Sequence, residues 1–389
     1  YQQIRLDFGA QNVIAGNSIG VGVNGQSVIG GITGGSIAPL GILSVSSTDL
    51  RIGTNGSTDA FNATEANVIG GLARDGIHLT GTLSAPDLRT VIAGNYIGVT
   101  PGGENRSNQG HGISLTANSV STIIGTNSDG NYDALESNVI SGNNGYGVYL
   151  DSASGTVLAG NKIGLKPDGQ TILGNGQGGL SILSGLTVRV GSNGDGTRDS
   201  DERNIISGNT GSGVVISGQS KDVTVSGNIL GLDVDGLDAL GNTGNGISVT
   251  GSLSGVIVGG TSIGLRNVVS GNQQNGIHIS GASTGSVSVL GNYVGTDITG
   301  ALDRGNLQSG VFIDGSPGHT IGGLTANARN IISGNDNQGI KITGSGAANN
   351  TIIGNYIGLN QAGSAALGNS SAGVLITSGA SSNTIGGTV

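Results

Sequence analysis

The sequence predicts an all-β solenoid, and three observations lead to this prediction. The 389 residues include 79 Gly and no Cys, Met or Trp, so the interior cannot be built from large interlocking side chains. A motif of Asn, three variable residues, Gly and an aliphatic residue recurs along the chain. Short runs of alternating aliphatic and polar residues follow the motif, without the period of an amphipathic helix. Tandem units that cannot bury a face alone stack into a solenoid.

The recurring Asn predicts a row of asparagines at one interior corner of the coils. Copies of the motif include NNGYGV from Asn143 and NTGSGV from Asn209. We expect each side-chain amide to bond the amides of the adjacent coils, at the strand spacing of about 4.8 Å. A buried amide without partners would cost about 1 to 3 kcal/mol, so the row must be continuous. Its predicted members are Asn108, Asn143, Asn175, Asn209, Asn242, Asn272, Asn306, Asn335 and Asn369.

The alternating runs predict two short strands in each coil. In GVVIS, we expect Val214 and Ile216 to face inward and Val215 outward, because successive side chains lie on opposite faces of a strand. The outward positions predicted for successive coils are His78, Ser114, Tyr149, Ser181, Val215, Ser248, His278, Phe312, Lys341 and Leu375. They include no acidic pair, so we expect no catalytic cluster on this face. His111 and His319 are expected in turns, as surface side chains.

Longer repeats alternate two kinds of coil. NVISGN from Asn138 and NIISGN from Asn204 lie 66 residues apart, and GNKIG and GNILG repeat in the intervening coils. These motifs, with NTIGG near the end of the sequence, resemble the repeats of right-handed parallel β-helix proteins, the pectin-lyase-like solenoids of bacterial secreted and cell-surface proteins. The resemblance implies a right-handed single-stranded parallel β-helix of about twelve coils of roughly 33 residues, in alternating pairs. We expect residues 1–389 to form one continuous domain, a segment of a longer repeat array.

Acidic inserts leave alternate coils at the same edge. One is SNGDGTRDSDERN at residues 192–204, and its counterpart one pair of coils earlier is TNSDGNYDALESN at residues 126–138. Oxygen-bearing side chains at alternate positions, closed by Glu, resemble the ligand spacing of an EF-hand loop. We therefore expect calcium, with a hydrated loop that keeps the rod soluble as the alternative. The predicted ligands are Asn127, Asp129, Asn131, Asp133, Glu136, Asn193, Asp195, Asp199, Asp201 and Glu202. A thinner copy of the insert retains Asn55, Asp59 and Glu65.

Charge and composition restrict the partners. The formal net charge is -9, and the 15 Lys and Arg residues are scattered, which disfavours binding to nucleic acid or to an anionic membrane. No apolar run is long enough to span a membrane. The absence of Cys excludes disulfides and thiolate metal sites.

A regular interior and an outer face without a catalytic cluster favour a non-enzymatic protein. We expect an extracellular or cell-surface solenoid, such as a stalk, an adhesin segment or a fibre-forming subunit, stiffened by calcium. Such a protein would self-associate end to end or with flanking repeats. The alternative is a carbohydrate-active enzyme or glycan-binding β-helix of the pectin-lyase-like kind. In that alternative, Tyr96, Tyr293 and Tyr356 are candidates for sugar contacts, because they share one position in alternate coils. Lys162 and Ile229 interrupt this row, so simple packing in the wall is the favoured interpretation of these tyrosines.

Overall fold

The computed structural model describes residues 2–22, 40–56, 62–281 and 284–387. These residues wind into a right-handed parallel β-helix, and the predicted fold class is confirmed. The helix has three parallel sheets of 12, 12 and 11 strands, and each sheet takes one strand from successive coils. The twelve strands of the first sheet correspond to twelve coils, close to the number expected from the repeat length.

The strands are short, as expected for coils of this length. The first sheet consists of Gln2–Asp7, Leu40–Val45, Ile77–Thr80, Ile113–Thr116, Tyr146–Asp151, Gly178–Leu183, Val214–Ser217, Ile247–Thr250, Ile277–Ser280, Val311–Asp314, Ile340–Thr343 and Val374–Thr377. The second sheet consists of Val13–Ile14, Arg51–Gly53, Val91–Ala93, Ile123–Gly125, Val157–Ala159, Arg189–Gly191, Thr224–Ser226, Val256–Gly259, Val287–Leu290, Thr320–Gly322, Thr351–Ile353 and Thr384–Ile385.

The sequence did not predict the third strand, which eleven of the twelve coils contain among the described residues, because its two residues are too few to show an alternation. The third sheet consists of Ser18–Ile19, Val68–Ile69, Tyr96–Ile97, Val139–Ile140, Lys162–Ile163, Ile205–Ile206, Ile229–Leu230, Val268–Val269, Tyr293–Val294, Ile331–Ile332 and Tyr356–Ile357. Two further strands, Asp87–Leu88 and Ser119–Val120, pair with each other between the first and second sheets. Helical turns in the described residues are the α-helix Asn62–Glu65 and the 3-10 helices Asp133–Leu135, Ile263–Leu265 and Ala326–Ala328.

The core is a stack of aliphatic side chains in register. Val214 pairs with Leu180 in the preceding coil and with Ile247 in the following coil, and all three side chains are fully buried. Val215 pairs with Ser181 on the outer face, so the predicted alternation of this strand is confirmed. Stacking identical positions keeps the aliphatic side chains in contact along the whole helix axis, which compensates for the small number of large side chains in any one coil.

Two rows of buried asparagines run parallel to the axis. In the first row, Asn209 Oδ1 accepts from Asn175 Nδ2 at 2.9 Å, and Asn209 Nδ2 donates to Asn242 Oδ1 at 3.0 Å. The same contact between side chains joins the nine asparagines from Asn108 to Asn369. Sequence reasoning missed a second row, at the corner between the second and third sheets. It consists of Asn17, Asn67, Asn95, Asn138, Asn161, Asn204, Asn228, Asn267, Asn292, Asn330 and Asn355.

Glycine is required where the second sheet meets this second row. Gly125 has a φ of +99°, and a Cβ atom there would lie 1.8 Å from the carbonyl oxygen of Ala159. The same Cβ atom would lie 2.7 Å from Nδ2 of Asn161. Any side chain would therefore push the adjacent coil away from the asparagine row.

Hairpin-like inserts cover the outer face of the third sheet. They bring Leu232 and Val234 onto Ile229 and Tyr293, which form a second, smaller apolar cluster. Tyr293 is only 3% exposed, and the Arg266 guanidinium lies 4.2 Å from the centroid of its ring. Tyr293 thus packs in the wall of the helix, as the favoured interpretation of these tyrosines expects, and does not present its ring to a sugar.

Candidate functional site

A polar cluster lies on the outer face of the first sheet, at the third to fifth coils. We call it the His–Tyr cluster, and its members are Asp75, His78, His111, Tyr146 and Tyr149. Asp75, His111 and Tyr146 each stand two residues before the first inward-facing aliphatic residue of their strand, at the edge of the sheet. His78 and Tyr149 each follow such a residue and point outward. The parallel register aligns His78, Ser114 and Tyr149 in one column.

Asp75 holds His78 and the backbone of the next coil. Its Oδ1 accepts from the His111 amide at 2.8 Å, and its Oδ2 lies 3.3 Å from His78 Nδ1. The other ring nitrogen, His78 Nε2, lies 3.3 Å from Thr116 Oγ1. Burial raises the pKa of the Asp75 carboxyl, but its hydrogen bonds with His78 and the His111 amide outweigh burial and hold that pKa below its ordinary value. Asp75 is therefore ionised and orients the imidazole.

His111 and Tyr149 form a stacked pair beside this contact. Their ring centroids lie 4.6 Å apart with an angle of 8° between the planes. His111 Nδ1 accepts from the Tyr146 amide at 3.0 Å, and burial lowers the pKa of His111. A neutral ring with an acceptor at Nδ1 carries its proton on Nε2. Partial burial raises the pKa of Tyr149, and the charge of Asp151 raises it further, so its phenol stays protonated at neutral pH.

The contact between a side chain before a first-sheet strand and the backbone amide of the next coil also occurs elsewhere in the β-helix. At the same position in later coils, Asn245 Oδ1 accepts from the Asn275 amide at 3.0 Å, and Asn275 Oδ1 accepts from the Ser309 amide at 3.1 Å. The contact between Asp75 and the His111 amide repeats this pattern. The His78 contacts and the His111–Tyr149 stack go beyond it, and they place proton-accepting and proton-donating groups on one face.

Sequence reasoning missed the cluster for a definable reason. It considered only the outward residues within the strands and looked for paired acids among them. Asp75 and His111 stand just before their strands and Tyr146 is the first residue of its strand, each as the residue preceding Gly in RDGI, GHGI and GYGV. Reading this position down the aligned repeats would have revealed the charged and aromatic side chains beside His78 and Tyr149.

A second aromatic group lies farther along the same column. The rings of His278 and Phe312 stack at 4.9 Å with an interplanar angle of 8°, and Lys341 Nζ lies 4.8 Å from the Phe312 centroid. His278 Nε2 has no hydrogen-bond partner in the structure. The His278 ring therefore resembles His111 in its stacking but lacks an acid that orients it, unlike His78.

His319 is a core residue, and the expectation of a surface side chain is wrong. It is 1% exposed, its Nδ1 accepts from the Val287 amide at 3.2 Å, and its Nε2 lies 2.8 Å from Ser316 Oγ. Its own amide donates to Asn350 Oδ1, which in turn belongs to a short asparagine pair with Asn383. Burial lowers the pKa of His319 to about 4.

The predicted calcium ligands mostly bond the backbone of their own loops. In residues 126–138, which we call the second insert, Glu136 Oε2 accepts from the Asn127 amide at 2.9 Å. Asn127 Oδ1 accepts from the Asp129 amide at 2.8 Å, and Asp129 Oδ1 accepts from the Asn131 amide at 2.7 Å. Asp133 is buried beneath this loop and is only 1% exposed.

Residues 192–204, the third insert, are built in the same way. Glu202 Oε2 accepts from the Asn193 amide at 2.7 Å, and Asn193 Oδ1 accepts from the Asp195 amide at 2.8 Å. Asp201 bonds Arg198 at 2.6 Å, and Asp199 is partly exposed. Across the described ranges, no three His, Cys, Asp or Glu side chains are grouped to hold a metal ion. Calcium binding stays a prediction, and Asp59 of the thinner copy lies outside the described residues.

Several solved structures are similar to this chain at low sequence identity. No protein-family model matches the sequence, and no curated protein is similar to it. A mutant of the periplasmic alginate epimerase AlgG is 11% identical, with 82% of this chain and 63% of that chain covered and a TM-score of 0.42. The A-module of the Azotobacter vinelandii mannuronan C-5 epimerase AlgE4 is 14% identical, with 90% and 77% covered and a TM-score of 0.36. The Dettilon tailspike protein is 15% identical, with 86% and 62% covered and a TM-score of 0.35.

The three parallel sheets, each with one strand from successive coils, make the protein a right-handed parallel β-helix. It spans less than two thirds of the length of the AlgG chain. In the part of the chain that the structure describes, no helix is long and apolar enough to cross a membrane.

The expectation of a non-enzymatic stalk, adhesin segment or fibre subunit is wrong. It depended on an outer face without a catalytic cluster, and the His–Tyr cluster lies on that face. The similar solved structures include two epimerases, one of alginate and one of mannuronan.

Proposed function

We propose that the protein is a carbohydrate-active enzyme that performs acid–base chemistry on a polysaccharide lying along the first sheet. The observation that carries this proposal is the position of His78, oriented by Asp75, beside the stacked His111–Tyr149 pair. The base, the acid and the groups that orient them all come from three consecutive coils, so the rigid stack of strands fixes their separation.

His78 is the proposed proton acceptor. With its Nδ1 proton directed at the Asp75 carboxylate, its Nε2 presents a lone pair toward the Thr116 hydroxyl. A bound sugar that displaced this hydroxyl contact would meet the lone pair directly. His78 could then remove a proton from a sugar carbon or hydroxyl, while Asp75 stabilises the imidazolium that forms.

Tyr149 is the proposed proton donor on the opposite side of the sugar. One outward residue, Ser114, separates it from His78 in the column, which corresponds to two strand spacings, or roughly 9.6 Å. The His111 Nε2–H between them can donate to a sugar oxygen on which negative charge develops. A base and an acid on opposite sides suit inversion at a carbon that loses and regains a proton, or elimination of a neighbouring group.

The substrate class and location belong to the same proposal. Alginate is the first polymer to test, because alginate and mannuronan epimerases are among the proteins with this fold. Polysaccharide substrates and the periplasmic AlgG enzyme support the extracellular or cell-surface location predicted from the sequence. End-to-end self-association stays a prediction.

The test is a turnover assay on a panel of acidic and neutral polysaccharides. Proton nuclear magnetic resonance would detect inversion of a sugar centre, and ultraviolet absorbance would detect the unsaturated ends that elimination produces. We expect His78→Gln and Tyr149→Phe to lower turnover by about 10² to 10⁴-fold, the usual contribution of a general acid or base.

His278→Gln is the matched control, because His278 occupies the same column but no acid among the described residues hydrogen-bonds to its ring. It should retain full turnover. The proposal fails if no polymer is converted, or if the His78 and Tyr149 variants turn over at the rate of the His278 variant. Polymer binding without conversion would instead favour a glycan-binding protein.

A further inference from the structure

Three inserts that leave the second sheet share one closing contact. The first of them, which includes residues 54–56 and 62–67, has the Asn55 amide donating to Glu65 Oε2 at 3.1 Å. The Glu136 and Glu202 carboxylates close the second and third inserts through the same contact, at 2.9 and 2.7 Å. The three loops therefore share one structure, closed by a glutamate that accepts from a backbone amide, and they can be compared position by position.

The first and third inserts balance the closing glutamate with an arginine. Arg51 Nη1 lies 3.0 Å from Glu65 Oε1, and Arg189 Nη1 lies 3.8 Å from Glu202 Oε2. Both arginines occupy the outward position of the second sheet, in the coil from which the insert leaves. In the coil of the second insert that position is Ile123, in the same register column.

The second insert also carries an additional buried acid. Three residues before each closing glutamate, the chain has Asn62 in the first insert, Asp133 in the second and Asp199 in the third. Asn62 is uncharged and Asp199 is partly exposed, whereas Asp133 is 1% exposed and neither of its carboxylate oxygens has a hydrogen-bond partner.

Two buried carboxylates without a compensating cation destabilise the folded protein. Asp133 and Glu136 are 1% and 2% exposed, and no Lys or Arg among the described residues forms an ion pair with either. Removing a charged group from water strongly disfavours the folded state unless an opposite charge or a metal compensates for it. In the flanking inserts Arg51 lies 3.0 Å from Glu65 and Arg189 lies 3.8 Å from Glu202, although Glu202 Oε1 is buried without a hydrogen-bond partner. Among the described residues, no arginine or lysine takes that place in the second insert.

We propose that the second insert binds a hard divalent cation, of the Ca²⁺ class, through Asp133 and Glu136. The cation takes the place of the arginine that balances the closing glutamate in the other two inserts. Carboxylate oxygens suit such an ion, and the remaining ligands are amide or backbone oxygens of the loop and water. With two carboxylates we expect a Kd on the order of 10⁻⁴ to 10⁻³ M, as in extracellular calcium modules.

The second and third inserts, which are similar in sequence, therefore differ in the proposed cation binding. In the third insert Arg189 lies near Glu202 and supplies a positive charge there. Binding at the second insert also stabilises a cleft, because Ala134, Leu135 and Ser137 line a cavity of about 220 Å³ together with Tyr96 and Lys162. The cation would thus order one wall of that cavity.

The experiment is calcium titration of the full chain after chelation, followed by thermal unfolding and by terbium luminescence. Tyr132 adjoins Asp133 and can sensitise bound Tb³⁺. We expect saturating Ca²⁺ to raise the Tm of the wild type by roughly 1 to 3 °C and to displace Tb³⁺. Asp133→Asn should abolish both effects, and Asp199→Asn, the matched change in the third insert, should leave both unchanged.

Ile123→Arg keeps the proposal testable if the Asp133 variant folds poorly. It introduces the arginine of the other inserts, so it should raise the Tm without calcium and remove the response to calcium. The proposal is overturned if the wild type shows neither a Tm rise nor Tb³⁺ luminescence. It is equally overturned if Asp199→Asn abolishes the response, or if Ile123→Arg leaves it intact.

Discussion

His78 Nδ1 lies 3.3 Å from Asp75 Oδ2, and the contact joins a strand to the turn that leads into it. Because the carboxylate accepts a hydrogen bond from Nδ1–H, the lone pair of the ring is at Nε2, which faces outward to Thr116. This relationship distinguishes His78 from His278, which occupies the same column six coils later without such an acid.

Asp75→Asn tests the orienting role of the carboxylate. Asparagine retains an oxygen for the His111 amide but removes the charge that stabilises protonated His78, so turnover should fall by about 10 to 100-fold. The readout is kcat on the polymer that the wild type converts. Ser212→Ala is the control, because the Ser212 hydroxyl accepts an amide proton from Asn245 at the same position of a later coil. Equal kcat in the two variants would contradict the prediction.

Asn209→Ala should be strongly destabilising. Asn209 Oδ1 accepts from Asn175 Nδ2 and from the Asn175 amide, and its Nδ2 donates to Asn242 Oδ1. Removing these groups leaves buried partners unsatisfied, which should lower the free energy of unfolding by about 2 to 5 kcal/mol. Denaturant unfolding measures the loss. Asn369 is the half-buried member of the same row in the last coil, so Asn369→Ala should lower the free energy of unfolding by less. Equal losses in the two variants would show that continuity of the row contributes little to stability.

His319 should make stability depend on pH. Its pKa is about 4 in the folded protein, below the ordinary 6.5, because burial disfavours the imidazolium. Above pH 6.5 the His319 ring is neutral in the folded and in the unfolded protein, so its full contribution to the free energy of unfolding is present. As the pH falls from 6.5 toward 4, the unfolded state takes up the proton first, and up to roughly 3 kcal/mol is lost. The free energy of unfolding, measured across this range, should fall accordingly.

His319→Asn is the companion variant for this pH dependence. An asparagine would continue the contact that Asn350 Nδ2 makes to Asn383 Oδ1 at 2.9 Å, and it does not titrate. The difference between the two stability curves isolates His319 from carboxyl groups that titrate in both proteins. Parallel curves between pH 4 and 6.5 would contradict the assignment.

Arg266→Lys should cost more than Arg203→Lys. Both arginines donate Nε to a glycine carbonyl of the next coil, Arg266 to Gly291 at 3.2 Å and Arg203 to Gly227 at 3.1 Å. Only Arg266 also covers an aromatic ring, that of Tyr293, so lysine loses a stacked guanidinium there in addition to the planar donor. We expect a difference of about 0.5 to 1 kcal/mol in the free energy of unfolding, and a difference of zero would show that the ring contact is energetically neutral.

Much of the fold could be predicted because the same sequence pattern occurs in many copies along the chain. The alternation of aliphatic and polar residues around Val214 recurs in other coils, so the inward and outward positions can be predicted from several copies together. The third sheet was missed because strands such as Lys162–Ile163 are two residues long. The second asparagine row was missed because its members alternate between two motifs, those of Asn204 and Asn228, which appear unrelated in sequence.

The candidate site was harder to predict, because its members are distant in sequence. His78 and Tyr149 were correctly placed on the outer face, but Asp75 and His111 precede their strands, and their meeting depends on the register between coils. The second insert likewise looked equivalent to the third until the structure placed Ile123 where Arg189 stands.

The sequence by itself determined the solenoid, its repeat length and its inward and outward faces, since these follow from local periodicity repeated along the chain. Only the tertiary structure decided which side chains meet across coils, because parallel register joins residues some 35 positions apart, such as Asp75 and His111. It also decided which acids are buried without a cation. Burial and charge balance depend on neighbours in three dimensions, and sequence spacing alone does not contain them.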